Sequence, residues 1–231
     1  MAAVALAFSA ISVAMYAIGA RGGDAVALKA VDNAERLRDL EQTLHLAWVT
    51  DRLQSSGMPD VLVDAAAYVY ALGYWPFLAL GLWFTRRLDR TAFRRLATAL
   101  ALSGLVGVAV MTAFPVAPPR LSGAGDVLQG SALGAVAHPD AILNPYAAMP
   151  SFHVAWSCLA AVAMSSTLAA PRRRVFLWAQ PVATSLAVVM TANHWTVDVV
   201  VAVLLASATW ALALPLVQWT ERACGAPRPI R

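Results

Sequence analysis

Long apolar runs, interrupted by arginine and proline, constrain this chain more than any other feature. They cover residues 2–20, 61–84, 96–114, 151–170, 174–192 and 195–217, and each is close to the ~20 mostly apolar residues that an α-helix needs to cross a bilayer. The composition agrees: 60% of residues are apolar and 13% charged, with a mean hydropathy of +0.63, against ~45–50% and ~25% in soluble domains. The expectation is a single all-α domain over residues 1–231, an integral membrane six-helix bundle. The first run has the length of a retained helix and lacks the basic start of a signal peptide, so residues 1–20 are read as the first span.

Residues 21–60 hold the one sustained mixture of charges, with Asp32, Glu35, Arg36, Arg38, Asp39 and Glu41 interleaved with Val31, Leu37, Leu40, Leu44, Leu46 and Trp48. That spacing predicts an amphipathic helix lying at the membrane interface. Residues 61–217 then supply the remaining five helices and 218–231 a tail.

Eleven of the seventeen Lys and Arg residues fall on alternate breaks: Arg86, Arg87, Arg90, Arg94 and Arg95, then Arg172 to Arg174, then Arg222, Arg228 and Arg231. The positive-inside rule places these breaks, and both termini, in the cytoplasm. Residues 21–60, 115–150 and the turn near 193–195 then face outward. The net charge of +4 reflects topology and anionic headgroups rather than nucleic-acid binding. Cys158 and Cys224 form neither a disulfide framework nor a metal-ligand spacing. A chain rich in Ala, Val, Leu and Arg with one lysine points to a high-GC bacterial source, and so to a plasma membrane.

Three short stretches meet on the outward surface. "FPVAPPRL" (114–121) ends the third span and delivers Arg120; "MPSFHVAW" (149–156) starts the fourth, with Pro150 suited to a first helical turn and Ser151 to an N-cap. "NHWTVDVV" (193–200) starts the sixth, where His194 and Asp198 are spaced to share one helical face. This set suits phosphoryl transfer. An imidazole attacks phosphorus when a carboxylate fixes its other nitrogen, which assigns His194 and Asp198. A second imidazole, His153, protonates the departing oxygen and then activates the acceptor. Arg120 and the Ser151 helix start offer donors to the phosphoryl oxygens. No metal or other cofactor is needed for such a step.

Pro150-Ser151-Phe152-His153 resembles the second signature of the type 2 phosphatidic acid phosphatase superfamily, and His194-Trp195-Thr196-Val197-Asp198 resembles the end of its third. Pro115 to Leu121 is similar to the degenerate first signature of the branch containing inositol phosphotransferases of the inositol phosphorylceramide synthase type. The likeness extends over roughly residues 30–215 in span pattern and is sharp in those three motifs. It implies a phosphohistidine on His194, oriented by Asp198, with His153 as general acid and base and no metal. The implied substrate is a lipid phosphate or polyprenyl diphosphate at the bilayer surface, and a headgroup transferase is the alternative within the family.

The sequence departs from the usual pattern in its cations. The lysine expected before Arg120 is Ala113, the proline expected after it is Leu121, and the Ser-Arg pair expected before His194 is Ala187-Val188. Arg52, Arg38, Lys29, Tyr68, Tyr70 and Tyr74 are candidate replacements. His45 and His138 read as surface residues, and Trp156 and Trp195 as members of an interfacial belt. Asn193 and Thr196, inside the third stretch, are candidate supports for the site, and Asn144 and Tyr146, just before the second motif, are candidates to line its entrance, with a turn at Asn144-Pro145 as the other reading. Two other classes use buried His and Asp: a catalytic zinc site and a proton-coupled transporter. The missing His-Glu-x-x-His signature counts against the first, and the gathering of polar groups at one face against the second.

Overall fold

The computed structural model describes residues 10–11, 13–14, 17, 23–55, 58–123, 144–168 and 171–223. Among them the chain is helical, with no strand and one isolated β-bridge, Val116 to Ala147. Among the described residues from 24 onward, seven helices follow one another: α1 Asp24–Thr43, α2 Ala47–Leu53, α3 Asp60–Leu88, α4 Arg90–Ala113, α5 Phe152–Thr167, α6 Pro171–Met190 and α7 Thr196–Ala223. Helices α3, α4 and α7 are long and apolar enough to cross a membrane, while α5 and the Arg174–Met190 part of α6 are shorter apolar helices. Most of the expected first span lies outside the described residues, so a count of six spans is not established. Its described residues are helical, and Ile11 packs on α4, where a Cβ on Gly104 would lie 2.1 Å from the Ile11 Cδ1.

The segment expected as one interfacial helix is two helices, and it lies on protein. Helix α1 buries Ala30, Asn33, Ala34, Leu37 and Glu41, one stripe at helical spacing. Ala30, Ala34 and Leu37 cluster with Val116 and Ala117 of the first motif stretch, Ala148 just before the second, and Trp195 and Val197 of the third, and Met149 packs against them. The turn into α2 is a Schellman motif, with His45 N–H on Gln42 O at 3.1 Å and Leu46 N–H on Glu41 O at 2.8 Å. His45 holds the left-handed position at φ 55°.

Several boundaries moved for identifiable reasons. Helix α4 begins ahead of its apolar run because Asp89 caps it, accepting from Thr91 N at 2.8 Å and Ala92 N at 3.1 Å. Arg90, Arg94 and Arg95 therefore sit on helix, not in a loop. Helix α7 runs on to Ala223, so part of the expected tail is helical. Arg94 pairs with Glu221, and Arg95 grips the Trp210 carbonyl at 2.8 and 3.0 Å, tying the start of α4 to the second half of α7. These arginines stand at the opposite end of the bundle from the motif stretches.

Small residues let α5 sit at the centre. Gly81 of α3 lies against Ala160, and a Cβ on Gly107 of α4 would fall 2.3 Å from the Phe152 ring, the close-approach device common in membrane bundles. Trp156 is buried with its Nε1–H on Ser103 Oγ at 3.1 Å, and Trp195 is buried with its Nε1–H on Ala117 O at 3.0 Å. Neither belongs to an interfacial belt; each is a core residue whose N–H needed a partner.

Candidate active site

Helix α6 ends in a second Schellman turn, with Ala192 N–H on Val189 O at 2.9 Å and Asn193 N–H on Val188 O at 3.2 Å. Ala192 holds the left-handed position at φ 54°, where glycine is usual. This turn delivers His194 before α7 begins at Thr196, so His194 and Asp198 do not share a helical face as their spacing predicts. They meet because Asp198, in the first turn of α7, folds back: its Oδ2 accepts the Trp195 N–H at 2.9 Å and stands 3.4 Å from His194 Nδ1.

The shorter contact of that nitrogen is with the Ala148 carbonyl, at 2.6 Å. His194 Nδ1 therefore carries the proton, donates to Ala148 O and lies beside the Asp198 carboxylate. Nε2 makes no hydrogen bond among the described residues. Ala148 is held in turn: Val116 N–H donates to Tyr146 O at 2.9 Å and Ala148 N–H to Val116 O at 3.3 Å. Asn33 of α1 closes the layer by donating to Pro115 O at 2.8 Å.

Arg120 sits in a short 3-10 turn, Pro119–Leu121. Its backbone N–H donates to Ala192 O at 3.0 Å and its Nε to Asn193 Oδ1 at 3.2 Å. Asn193 is oriented by Thr191, through Nδ2 to Thr191 Oγ1 at 3.0 Å. The first motif stretch is thus joined to the third through the Arg120 side chain and to the residue before it through the backbone.

His153 lies in the first turn of α5, with its ring centroid 6.2 Å from that of His194. Pro150 precedes this helix rather than entering its first turn. Ser151 occupies the N-cap, yet its hydroxyl makes no capping bond and is buried without a partner among the described residues. The other side of His153 is aromatic: Tyr74 and Tyr70 have ring centroids 4.5 and 4.7 Å away. Both come from the edge of a π-turn, Val69–Gly73, inside α3, a local widening that often marks functional positions. Nothing in the apolar run foretells that turn.

The other candidates are placed elsewhere. Lys29 donates to Ala113 O at 3.2 Å, Arg38 to Asp51 Oδ1 at 2.5 Å, and Arg52, Tyr68 and His45 are exposed. His138 lies outside the described residues. Ala187 and Val188 are buried in the apolar core. Asn144 is buried and accepts from Tyr146 N at 3.0 Å, forming a turn before the second motif.

Glu41 was missed by the sequence pattern, which counts it among solvated charges. It is fully buried and accepts from Val197 N–H at 2.9 Å and from Thr50 Oγ1 at 2.9 and 3.1 Å. Thr50 also contacts Thr196 Oγ1 at 2.7 Å. The signal available in sequence was position alone, since Glu41 falls four residues after Leu37 on the buried stripe. A cleft of about 500 Å³ opens over α1 and α2, lined in part by Glu35, Arg38, Asp39 and Asp51, and neither catalytic histidine candidate lines it. Among the described residues, no group of three or more His, Cys, Asp or Glu side chains is placed to hold a metal ion.

A helical bundle with membrane-length helices and two histidines, an aspartate and an arginine gathered at one end defines the class of protein. Residues 35–212 match the family model of the PAP2 superfamily, and the chain belongs to that superfamily. Its members are generally phosphatases, which supports phosphatase or phosphotransferase activity here. A search of curated proteins and a search of solved structures gave no match.

Proposed function

We propose that the protein is a membrane phosphatase or phosphotransferase acting on a lipid phosphate or diphosphate through a phosphohistidine on His194. The observation that carries this reading is the pinning of His194 Nδ1 between the Ala148 carbonyl and the Asp198 carboxylate. That arrangement leaves the Nε2 lone pair for phosphorus. Nε2 attacks, the bond from phosphorus to the leaving oxygen breaks, and His153 gives that oxygen its proton. His153 then takes a proton from water or an alcohol, which attacks phosphorus, and the N–P bond breaks to restore His194.

The imidazolium that develops on His194 is stabilised by Asp198. Phosphoryl charge falls to Arg120, whose terminal nitrogens make no hydrogen bond among the described residues, and to the uncapped first turn of α5 with Ser151. Tyr70 and Tyr74 are the best placed of the candidate replacements for the missing cations, because they alone among them touch His153. The site faces outward, by the arginine distribution, and needs no metal.

Purified protein offered a panel of radiolabelled lipid phosphates, with and without inositol or glycerol, tests the reading. Turnover that persists in EDTA supports it; loss restored by an added divalent metal contradicts it. Label moving onto the polyol assigns transfer, and label released as phosphate assigns hydrolysis. Vesicle flux that survives His194→Ala, with no turnover of any lipid phosphate, would favour a transporter instead.

A further inference from the structure

The first turn of α7 presents backbone N–H groups that no residue of its own helix can satisfy, and each has a partner. Thr196 N–H goes to Thr50 Oγ1 at 3.3 Å, Val197 N–H to Glu41 Oε1 at 2.9 Å and Asp198 N–H to Trp195 O at 3.1 Å. Two of these three acceptors come from α1 and α2, far away in sequence. Glu41 is fully buried, its two oxygens shared between Thr50 and the α7 amide, with Arg38 Nη1 3.7 Å away. Burying a carboxylate without partners is costly, so this site is built around it.

Two consequences follow for the reaction. A helix N-terminus is a ready anion site, and Glu41 fills the one on α7, which leaves the phosphoryl group to α5 and Arg120. The same hydrogen bonds fix the turn of α7 that holds Asp198, and hence the carboxylate beside His194 Nδ1.

We propose that Glu41 is a positioning residue for the His194 nucleophile, capping α7 from another helix with Thr50 as its brace, so that α1 and α2 form part of the active site. The proposal rests on the reading of His194 as nucleophile. Its action is through hydrogen-bond geometry: a glutamine at this position still offers a carbonyl oxygen to Val197 N–H.

The test uses full-length protein in lipid nanodiscs, with p-nitrophenyl phosphate and labelled phosphatidate as probes and His194→Ala as control. Removing a charge-assisted hydrogen bond gives an expected loss of about 10–100-fold in kcat for Glu41→Ala, with KM within about threefold, since substrate contacts are untouched. Glu41→Gln restores most of kcat. Thr50→Val, which keeps the Glu41 to Val197 bond, gives an intermediate loss and guards against an unfolded Glu41→Ala. A folded Glu41→Ala with wild-type kcat, a loss confined to KM, or Glu41→Gln as slow as Glu41→Ala overturns the proposal. Full activity in His194→Ala, or no turnover of either probe by the parent protein, overturns the underlying reading instead.

Discussion

His194 Nδ1 lies 2.6 Å from the Ala148 carbonyl oxygen and 3.4 Å from Asp198 Oδ2. The backbone, more than the carboxylate, therefore fixes the tautomer that leaves Nε2 free. In a histidine oriented by aspartate alone, replacing the acid by its amide costs about 10⁴ in rate because the ring adopts the wrong tautomer. Here Asp198→Asn keeps the Ala148 acceptor, so the expected loss is smaller, about 10–100-fold for the missing charge. Single-turnover phosphoenzyme formation measures it, and a loss near 10⁴ would show that Ala148 does not hold the tautomer.

Arg120 spends its Nε on Asn193 and its backbone N–H on Ala192, so its position is set before any ligand arrives. Arg120→Lys keeps the charge but loses the fork and the Asn193 contact. The expected result is a KM raised about 10-fold or more, with Asn193→Ala giving a smaller effect in the same direction. Steady-state kinetics with the preferred substrate decide this; an unchanged KM in Arg120→Lys would remove Arg120 from the phosphate cradle.

Gly107 faces the Phe152 ring, the residue before His153. Gly107→Val drives that ring out of place and with it the first turn of α5. Overpacking of this kind costs about 1–3 kcal/mol, and the displaced His153 lowers kcat further. A melting curve and a turnover assay on the same preparation check both, and wild-type values for each would show that α4 and α5 have slack at this contact.

His45 is exposed and holds φ 55°. Glycine adopts that conformation without a Cβ clash, so His45→Gly stabilises the protein by about 0.5–1 kcal/mol and leaves activity unchanged. Chemical denaturation of the two proteins measures it. A destabilised variant would show that the imidazole contributes contacts that outweigh the strain.

Much of this architecture is legible in the sequence because apolar run length and proline placement act locally. The positions of α3 to α7 and the convergence of 114–121, 149–156 and 193–200 follow from those rules. Three features escape them. His194 and Asp198 are paired by a side chain reaching back across a helix start, which residue spacing cannot distinguish from a shared face. The π-turn that brings Tyr70 and Tyr74 to His153 has no local signature in an apolar helix. Glu41 reads as a surface charge because its partners, Thr50 and Val197, reach it only through tertiary packing.

The most direct test of His194 as the nucleophile is trapping of the phosphoenzyme with ³²P-labelled lipid phosphate in His194→Ala and His153→Ala. A phosphohistidine on His194 predicts no label on His194→Ala, and on His153→Ala a slow accumulation of acid-labile, alkali-stable label that appears with a good leaving group alone. Label retained on His194→Ala, or full turnover by either variant, would contradict it.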